Sequence, residues 1–398
     1  MSTQDERLHI ETRAVHTPIT EVTGSRPIGM PIYQGHIFAF DDPDALAESF
    51  AGPRGAFLYS RLGNPTVRAL EDAVAGLEGG AAGLAAASGM GAIGTVLLAL
   101  LQSGDHVVAQ RCLYGGTIAL LNDLAARWGV DVTYVSGSDP GEVRAALRPG
   151  TRLVYLETIA NPIAQVVDLP ALCAIARQAG VTSVVDNTWA TPVLCQPIST
   201  GADIVIHSAT KYLGGHDDVL GGVAVFASAE LYQKVWDYGT ELGASADPFA
   251  AWLTIRGLHT LALRMRQHCD SALTLATRLA GHPAVASVHY PGLPGHPDHR
   301  VASRVLSGGY GGVLAFDLAG GREAGRILAG AVRLVTLAPS LGNVHTLVMH
   351  PASTSHRMLN DAQLSEAGIG AGTIRLAVGI EHADDLWEDL EQALDKVT

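Results

Sequence analysis

Lys211 is one of only three lysines in 398 residues. It lies in His207-Ser208-Ala209-Thr210-Lys211-Tyr212-Leu213-Gly214-Gly215, directly after the apolar run Ala202 to Ile206. An ammonium group at the end of a strand of the buried type is costly unless it has a partner or a chemical task. The task that fits is a Schiff base, because a desolvated lysine loses its proton more readily and becomes a nucleophilic amine near neutral pH. The structural alternative is a side chain that snorkels to solvent. Asp186 ends an earlier apolar run in Val185-Asp186-Asn187-Thr188. Two strand ends of one parallel sheet can point a carboxylate and a lysine into one crevice. That is the pairing pyridoxal phosphate requires: the lysine holds the aldehyde carbon, and the carboxylate keeps the ring nitrogen protonated so that the ring accepts electrons. The alternative for Asp186 is an Asx turn or helix cap.

A phosphate needs backbone donors at a helix start. Ser88-Gly89-Met90-Gly91-Ala92 supplies a glycine turn before a helix, where unpaired N–H groups and the helix dipole favour an anion. Ser208 and Thr210 add hydroxyl donors beside the lysine. Gly89, Gly91 and Gly94 also spell GxGxxG, so a dinucleotide-binding oxidoreductase stands as a competing class. Tyr114, in a loop before a helix, can stack on a pyridine face or be a partly buried loop aromatic. Asn161 can donate to a ring hydroxyl or form a turn before Pro162. Arg375 offers a fork for an α-carboxylate or makes a structural ion pair.

These residues need a scaffold of parallel strands. From about residue 65 to 260, apolar runs alternate with helical patterns: His106 to Gln110, Val132 to Ser136, Leu153 to Glu157, Ser183 to Asp186, Ile204 to His207 and Gly222 to Ala227 read as strands. This alternation predicts an α/β protein with a mostly parallel central sheet, helices on both faces, and a crevice at the carboxyl ends of the strands. Ala246 to Leu279 reads as one long helix. Beyond it, separated strands (Val285 to Tyr290, Gly312 to Leu318, Leu334 to Ala338, Ile374 to Val378) predict a smaller C-terminal α/β domain. The expected division is an irregular arm over 1–60, a large domain over 61–255 and a smaller one over 256–398. An aperiodic arm of that length leans on a partner subunit or covers a site.

A formal net charge of -13, with no basic stripe, argues against nucleic acid as a partner. Cys112, Cys173, Cys195 and Cys269 form no CxxC pair, so neither a disulfide framework nor a zinc site is expected. The histidine pairs His296/His299 and His345/His350 lack a third ligand at sensible spacing, and no metal is expected. A polar Met1 to Arg13 segment and the absence of a long apolar run predict a cytoplasmic protein without a membrane span.

On these segments the chain resembles the Cys/Met-metabolism enzymes that use pyridoxal phosphate, among them cystathionine γ-synthase, cystathionine and methionine γ-lyases and O-acylhomoserine sulfhydrylases. The matching segments are Tyr59-Ser60-Arg61, Gly63-Asn64-Pro65-Thr66, Ser88-Gly89-Met90, Leu113-Tyr114-Gly115-Gly116-Thr117, Val185-Asp186-Asn187-Thr188, Ser208-Ala209-Thr210-Lys211-Tyr212, Ser340-Leu341-Gly342, His350-Pro351-Ala352-Ser353 and Ile374-Arg375-Leu376. The resemblance implies the fold-type I architecture of such transferases. It implies that Lys211 is the Schiff-base lysine and proton shuttle, that Asp186 partners the ring nitrogen, and that Tyr114 stacks on the ring and assists the leaving group. It further implies that Gly89, Met90, Ser208 and Thr210 bind phosphate, joined by Tyr59 and Arg61 from a neighbouring subunit, and that Ser340 and Arg375 position the lysine and the substrate carboxylate. A homotetramer built from active dimers follows from the same resemblance.

Some positions depart from the pattern. Pro339 stands where cystathionine enzymes carry a glutamate. Gly116 stands where methionine γ-lyases carry a cysteine, and their lysine-aspartate pair is absent around Gly239 to Leu242. The expected activity is γ-elimination or γ-replacement on a sulfur amino acid or a homoserine derivative, of the methionine γ-lyase or O-acylhomoserine sulfhydrylase kind. The alternative is β- or γ-elimination on cysteine or cystathionine.

Overall fold

The computed structural model describes residues 24–397 except 51, 53, 54, 355, 356, 358, 359, 361–363 and 365–368. The chain divides into Met1–Pro31 and Ile32–Thr398. In the first unit, the described residues 24–31 hold neither helix nor strand. Much of the expected 1–60 arm therefore lies outside the described residues. Within the second unit, that arm's remainder contains one short helix, Pro43–Glu48.

Short apolar runs become strands because β-branched residues fit a pleated surface buried on both sides. In chain order they are β1 (Ala82–Ala86), β2 (His106–Gln110), β3 (Asp131–Val135), β4 (Thr151–Glu157), β5 (Ile159–Ala160), β6 (Gln165–Val166), β7 (Thr182–Asp186), β8 (Ile204–Ser208) and β9 (Gly222–Phe226). Seven of them form one sheet in the order β1-β9-β8-β7-β4-β2-β3, and β5 pairs with β6. The run from β8 to β3 is parallel, and β9 is antiparallel to both its neighbours. Alternate residues feed two cores. Val154, Leu156, Val185 and Val205 pack on one face with the helices Pro65–Glu78 and Leu169–Gln178. Leu153, Tyr155, Val184 and Ile206 pack on the other with Gly89–Leu100 and Gly115–Trp128.

Two helix starts are set by side-chain caps. Asn64 accepts from the N–H groups of Thr66 and Val67, and Ser88 from that of Gly91, satisfying donors that a helix leaves unpaired in its first turn. The predicted single helix over Ala246 to Leu279 is two, Pro248–Leu258 and Leu261–Ala280. The break has a local cause: the carbonyl of Gly257 accepts from the Arg264 guanidinium at 2.8 Å and from Thr260 N at 3.2 Å, contacts that displace the regular helical bond.

The C-terminal sheet contains β10 (Val285–His289), β11 (Val313–Leu318), β12 (Thr336–Leu337), β13 (Leu347–Met349) and β14 (Thr373–Ala377), in the order β10-β11-β14-β13-β12. It packs against Leu261–Ala280, Gly321–Ala331 and Ala383–Leu394. The fold is thus α/β, with a mostly parallel central sheet and a smaller C-terminal sheet. Among the described residues, no helix is long and apolar enough to cross a membrane, and no cluster of three His, Cys, Asp or Glu is arranged to hold a metal.

Candidate active site

Lys211 sits in the turn that leaves β8, and that turn is pinned from behind. Gly214 N donates to Ala209 O at 2.9 Å and Gly215 N to Lys211 O at 2.8 Å. The buried Arg264 guanidinium donates to Tyr212 O at 2.7 Å. Gly257 must be a glycine, because a Cβ there would stand 2.3 Å from Gly214 O. So held, Lys211 Nζ donates to Ser340 Oγ at 2.8 Å. Burial, then the nearby Arg375 charge, lower the lysine's pKa from its ordinary value, with Asp217 opposing. The amine is therefore more available as a base and nucleophile.

Ser340 has φ 104, a left-handed conformation that side chains disfavour. Its carbonyl accepts from Arg375 Nη2 at 2.7 Å, and Arg375 Nη1 donates to Asn161 Oδ1 at 3.2 Å. Arg375 lies on β14, is buried, and leaves its Nε without a partner. Burial lowers its pKa to about 10. Arg375 lines the cleft, and a guanidinium there suits a ligand carboxylate.

Asp186 ends β7 and Glu157 ends β4, in register with one another. Asp186 Oδ1 accepts from Thr188 N at 3.0 Å. Glu157 Oε1 accepts from Tyr114 N at 2.6 Å. Burial raises the pKa of both. Beneath them, on the opposite face, the carboxylate of Glu78 takes Asn187 Nδ2 at 2.8 Å and the His207 ring at 2.7 Å, while Thr158 Oγ1 donates to Asn187 Oδ1 at 2.7 Å. This buried network ties the ends of β4, β7 and β8 together.

A candidate anion cradle is the start of the helix Gly89–Leu100. With Ser88 Oγ occupied by Gly91 N at 2.9 Å, the N–H groups of Gly89 and Met90 keep no intrahelical acceptor. The helix start touches the strand that carries the lysine: a Cβ on Gly89 would fall 2.8 Å from Ser208 Cβ. Ser208 N donates to Thr188 Oγ1 at 2.9 Å, and Thr210 Oγ1 donates to Gly221 O at 3.2 Å.

Tyr114 opens the next helix and is half exposed. Its ring lies over the helix's own first turn, where a Cβ on Gly116 would come within 2.5 Å of Tyr114 Cε1 and 3.0 Å of Met90 Sδ. The departure at Gly116 therefore has a structural meaning, since it allows this position of the ring.

One cleft of about 600 Å³ gathers Gly89, Met90, Tyr114, Asn161, Asp186, Ser208, Thr210, Lys211, Ser340 and Arg375. Tyr59 and Arg61 are not among its walls. Instead, Arg61 Nη1 donates to Thr240 O at 2.5 Å and its guanidinium lies 5.8 Å from the centre of the Tyr59 ring. Sequence reasoning passed over Glu157, Thr188 and Trp189, which also line the cleft. Glu157 carried the same signal as Asp186, an acidic residue closing an apolar strand. Asp217 and His345 face each other at 3.5 Å. They join the turn after Lys211 to the Ser340 loop, which Val344 N also ties to Gly215 O at 3.1 Å.

The donor set fits pyridoxal phosphate. Open helix-start N–H groups and the Ser208 hydroxyl could meet a phosphate, a buried carboxylate could meet a ring nitrogen, and the Lys211 amine could meet an aldehyde. The profile of the Cys/Met metabolism PLP-dependent enzymes matches residues 11–395. An L-methionine gamma-lyase of Fusobacterium nucleatum is 45% identical over 93% of this chain and 94% of that protein. A cystathionine gamma-synthase of Mycobacterium bovis is 42% identical over 96% of each chain. The crystal structure of cystathionine gamma synthase from Xanthomonas oryzae pv. oryzae, in complex with aminoacrylate and cysteine, superimposes with a TM-score of 0.88 at 40% identity, over 94% of this chain and 95% of that one. The competing dinucleotide reading of Gly89, Gly91 and Gly94 gives way to this match. The chain belongs to the Cys/Met-metabolism family of pyridoxal-phosphate-dependent enzymes.

Proposed function

We propose that this enzyme removes the γ substituent of a four-carbon amino acid, with methionine or an O-acylhomoserine as substrate, and that water or an added thiol decides between elimination and replacement. The observation that carries the reading is the character of the cleft wall. Leu113, Ile118, Leu220, Pro339 and Leu341 line the cleft together with Lys211 and the buried Arg375. Such a wall suits an apolar thioether or ester. With Pro339 in place of an acidic residue, it offers nothing there to the distal amino group of cystathionine, which ranks cystathionine and cysteine elimination second.

Arg375 would take the α-carboxylate and turn Cα toward Lys211. The Lys211 amine, steadied by Ser340, would remove the α proton and then a β proton. The Tyr114 hydroxyl would hold a proton for the leaving sulfur or oxygen. Asp186 would hold the ring nitrogen protonated, Asn161 would meet the ring hydroxyl, and Gly89, Met90, Ser208 and Thr210 would bind the phosphate. Pyridoxal phosphate, when bound, supplies the electron sink that makes these carbon acids reactive. Methionine and water would yield 2-oxobutanoate, ammonia and methanethiol.

Tyr59 and Arg61, absent from their own chain's cleft, are assigned to the cleft of a neighbouring copy in a cytoplasmic homotetramer of active dimers. The division at 61–255 and 256–398 belongs to the same proposal. Purified enzyme offered methionine, homocysteine, cystathionine, cysteine and O-acylhomoserines, each with and without a thiol, tests the reading by product identification. Pyruvate alone, from cysteine or cystathionine, would refute γ chemistry.

A further inference from the structure

Glu157 and Asp186 are Cα partners across the parallel strands β4 and β7. Residues two apart on a strand share a face, and Tyr155 and Val184, two before each, lie in one core. The two carboxyl groups therefore stand side by side on that face. They are 4% and 9% exposed and both line the cleft. Among the described residues neither is ion-paired. They accept backbone N–H from Tyr114 and Thr188, and Asn161 and the Thr188 hydroxyl add to the donors. Two buried like charges on neighbouring strands oppose each other's ionisation.

We propose that Glu157 is a positioning residue that works as a neutral carboxylic acid: it keeps one proton for the pair, leaves a single negative charge on Asp186, and anchors the backbone of Tyr114. A neutral carboxyl has a carbonyl oxygen for the Tyr114 N–H and an O–H to give its neighbour. Burial first, and then the charge of Asp186, push Glu157 well above the usual carboxylate range, against the backbone donors of Tyr114 and Asn161. Asp186 is raised by burial too, with the Thr188 bonds and the His207 charge pulling the other way; the proton is placed on Glu157, the more deeply buried of the two. The other titratable groups around the pair are Tyr155 on β4, Cys112 and Tyr114 before the next helix, Lys211 after β8, Arg375 on β14 and, behind the sheet, His207. None gives Glu157 a side-chain hydrogen bond. The functional consequence rests on the cofactor reading above: one negative charge matches one protonated ring nitrogen, whereas two would leave a buried excess charge.

Infrared difference spectroscopy of the cofactor-free protein tests the protonation without turnover. Wild type minus Glu157→Gln is expected to show a protonated-carboxyl C=O band at mildly alkaline pH, where Glu71, raised by burial to about 7, has largely ionised. Adding Asp186→Asn removes the neighbouring charge and is expected to move the titration of that band to lower pH by about one unit. In reconstituted protein, Glu157→Gln retains an acceptor for Tyr114 and is expected to hold the cofactor within about threefold of wild type, whereas Glu157→Ala weakens it about tenfold or more. Absence of the band in wild type, or a glutamine variant as weak as the alanine variant, overturns the proposal. A wild-type protein that shows the band but does not take up the cofactor would instead overturn the cofactor reading alone.

Discussion

Replacing Ser340 by alanine and, separately, by glycine should separate two things this residue does at once. Its hydroxyl accepts from Lys211 Nζ at 2.8 Å, and its backbone holds φ 104. A side chain in that region costs about 1–3 kcal/mol. Glycine relieves the cost but adds about 0.5–1 kcal/mol of unfolded-state freedom relative to alanine. Ser340→Gly is therefore expected to be more stable than Ser340→Ala by about 1 kcal/mol, read as a higher thermal or denaturant midpoint of cofactor-free protein at matched concentration. Activity should not follow stability. Both variants lose the partner of Lys211, and a hydrogen bond to a charged group contributes about 1.5–3 kcal/mol. Because Lys211 is only partly buried and its charge is depressed, the low end applies, a fall in kcat/KM of about tenfold. An alanine variant more stable than the glycine variant would show that the φ is not strained. Alanine activity within about twofold of wild type would show that Ser340 does not position the lysine.

Gly89→Ala is expected to weaken cofactor binding by about tenfold, because the new Cβ would lie 2.8 Å from Ser208 Cβ and overpacking of this kind costs about 1–3 kcal/mol; titration of cofactor-free protein measures it. Arg264→Met leaves the carbonyls of Tyr212 and Gly257 without their guanidinium donor, and should lower stability by about 2–4 kcal/mol and slow the loading of Lys211 with cofactor. Glu71, with a folded pKa of about 7 against an ordinary 4.5, favours folding most when protonated. Its contribution is full below pH 4.5 and is lost as pH rises through about 7. Glu71→Gln should therefore gain on wild type with rising pH across that window, by roughly 3 kcal/mol in total, as followed by denaturant midpoints at stepped pH.

Much of the site was legible because its parts sit in contiguous stretches at strand and helix ends. A polar residue closing an apolar run marks a crevice, and Asp186 and Lys211 are both of this kind. What escaped reading was set by contacts distant in sequence. Strand β1, Ala82–Ala86, has no β-branched residue and is a strand because β9 pairs with it. Two helices appeared as one because the interruption comes from Arg264 reaching back to Gly257. Strand β13 is only three residues long, Leu347–Met349, and takes its form from β14 alongside it. Glu157 looked like the last residue of a strand; its pairing with Asp186 depends on a register that neither segment encodes alone. The Asp217 and His345 contact likewise joins two loops far apart in the chain.

The central claim is that the cleft around Lys211 expels a γ substituent. Incubating cofactor-loaded enzyme with methionine, and in parallel with an O-acylhomoserine, and quantifying the products of each tests it most directly. The account predicts 2-oxobutanoate in one-to-one ratio with the released thiol or acid, and none from Lys211→Ala. A wild-type enzyme that leaves both substrates intact while forming pyruvate from cysteine would contradict it.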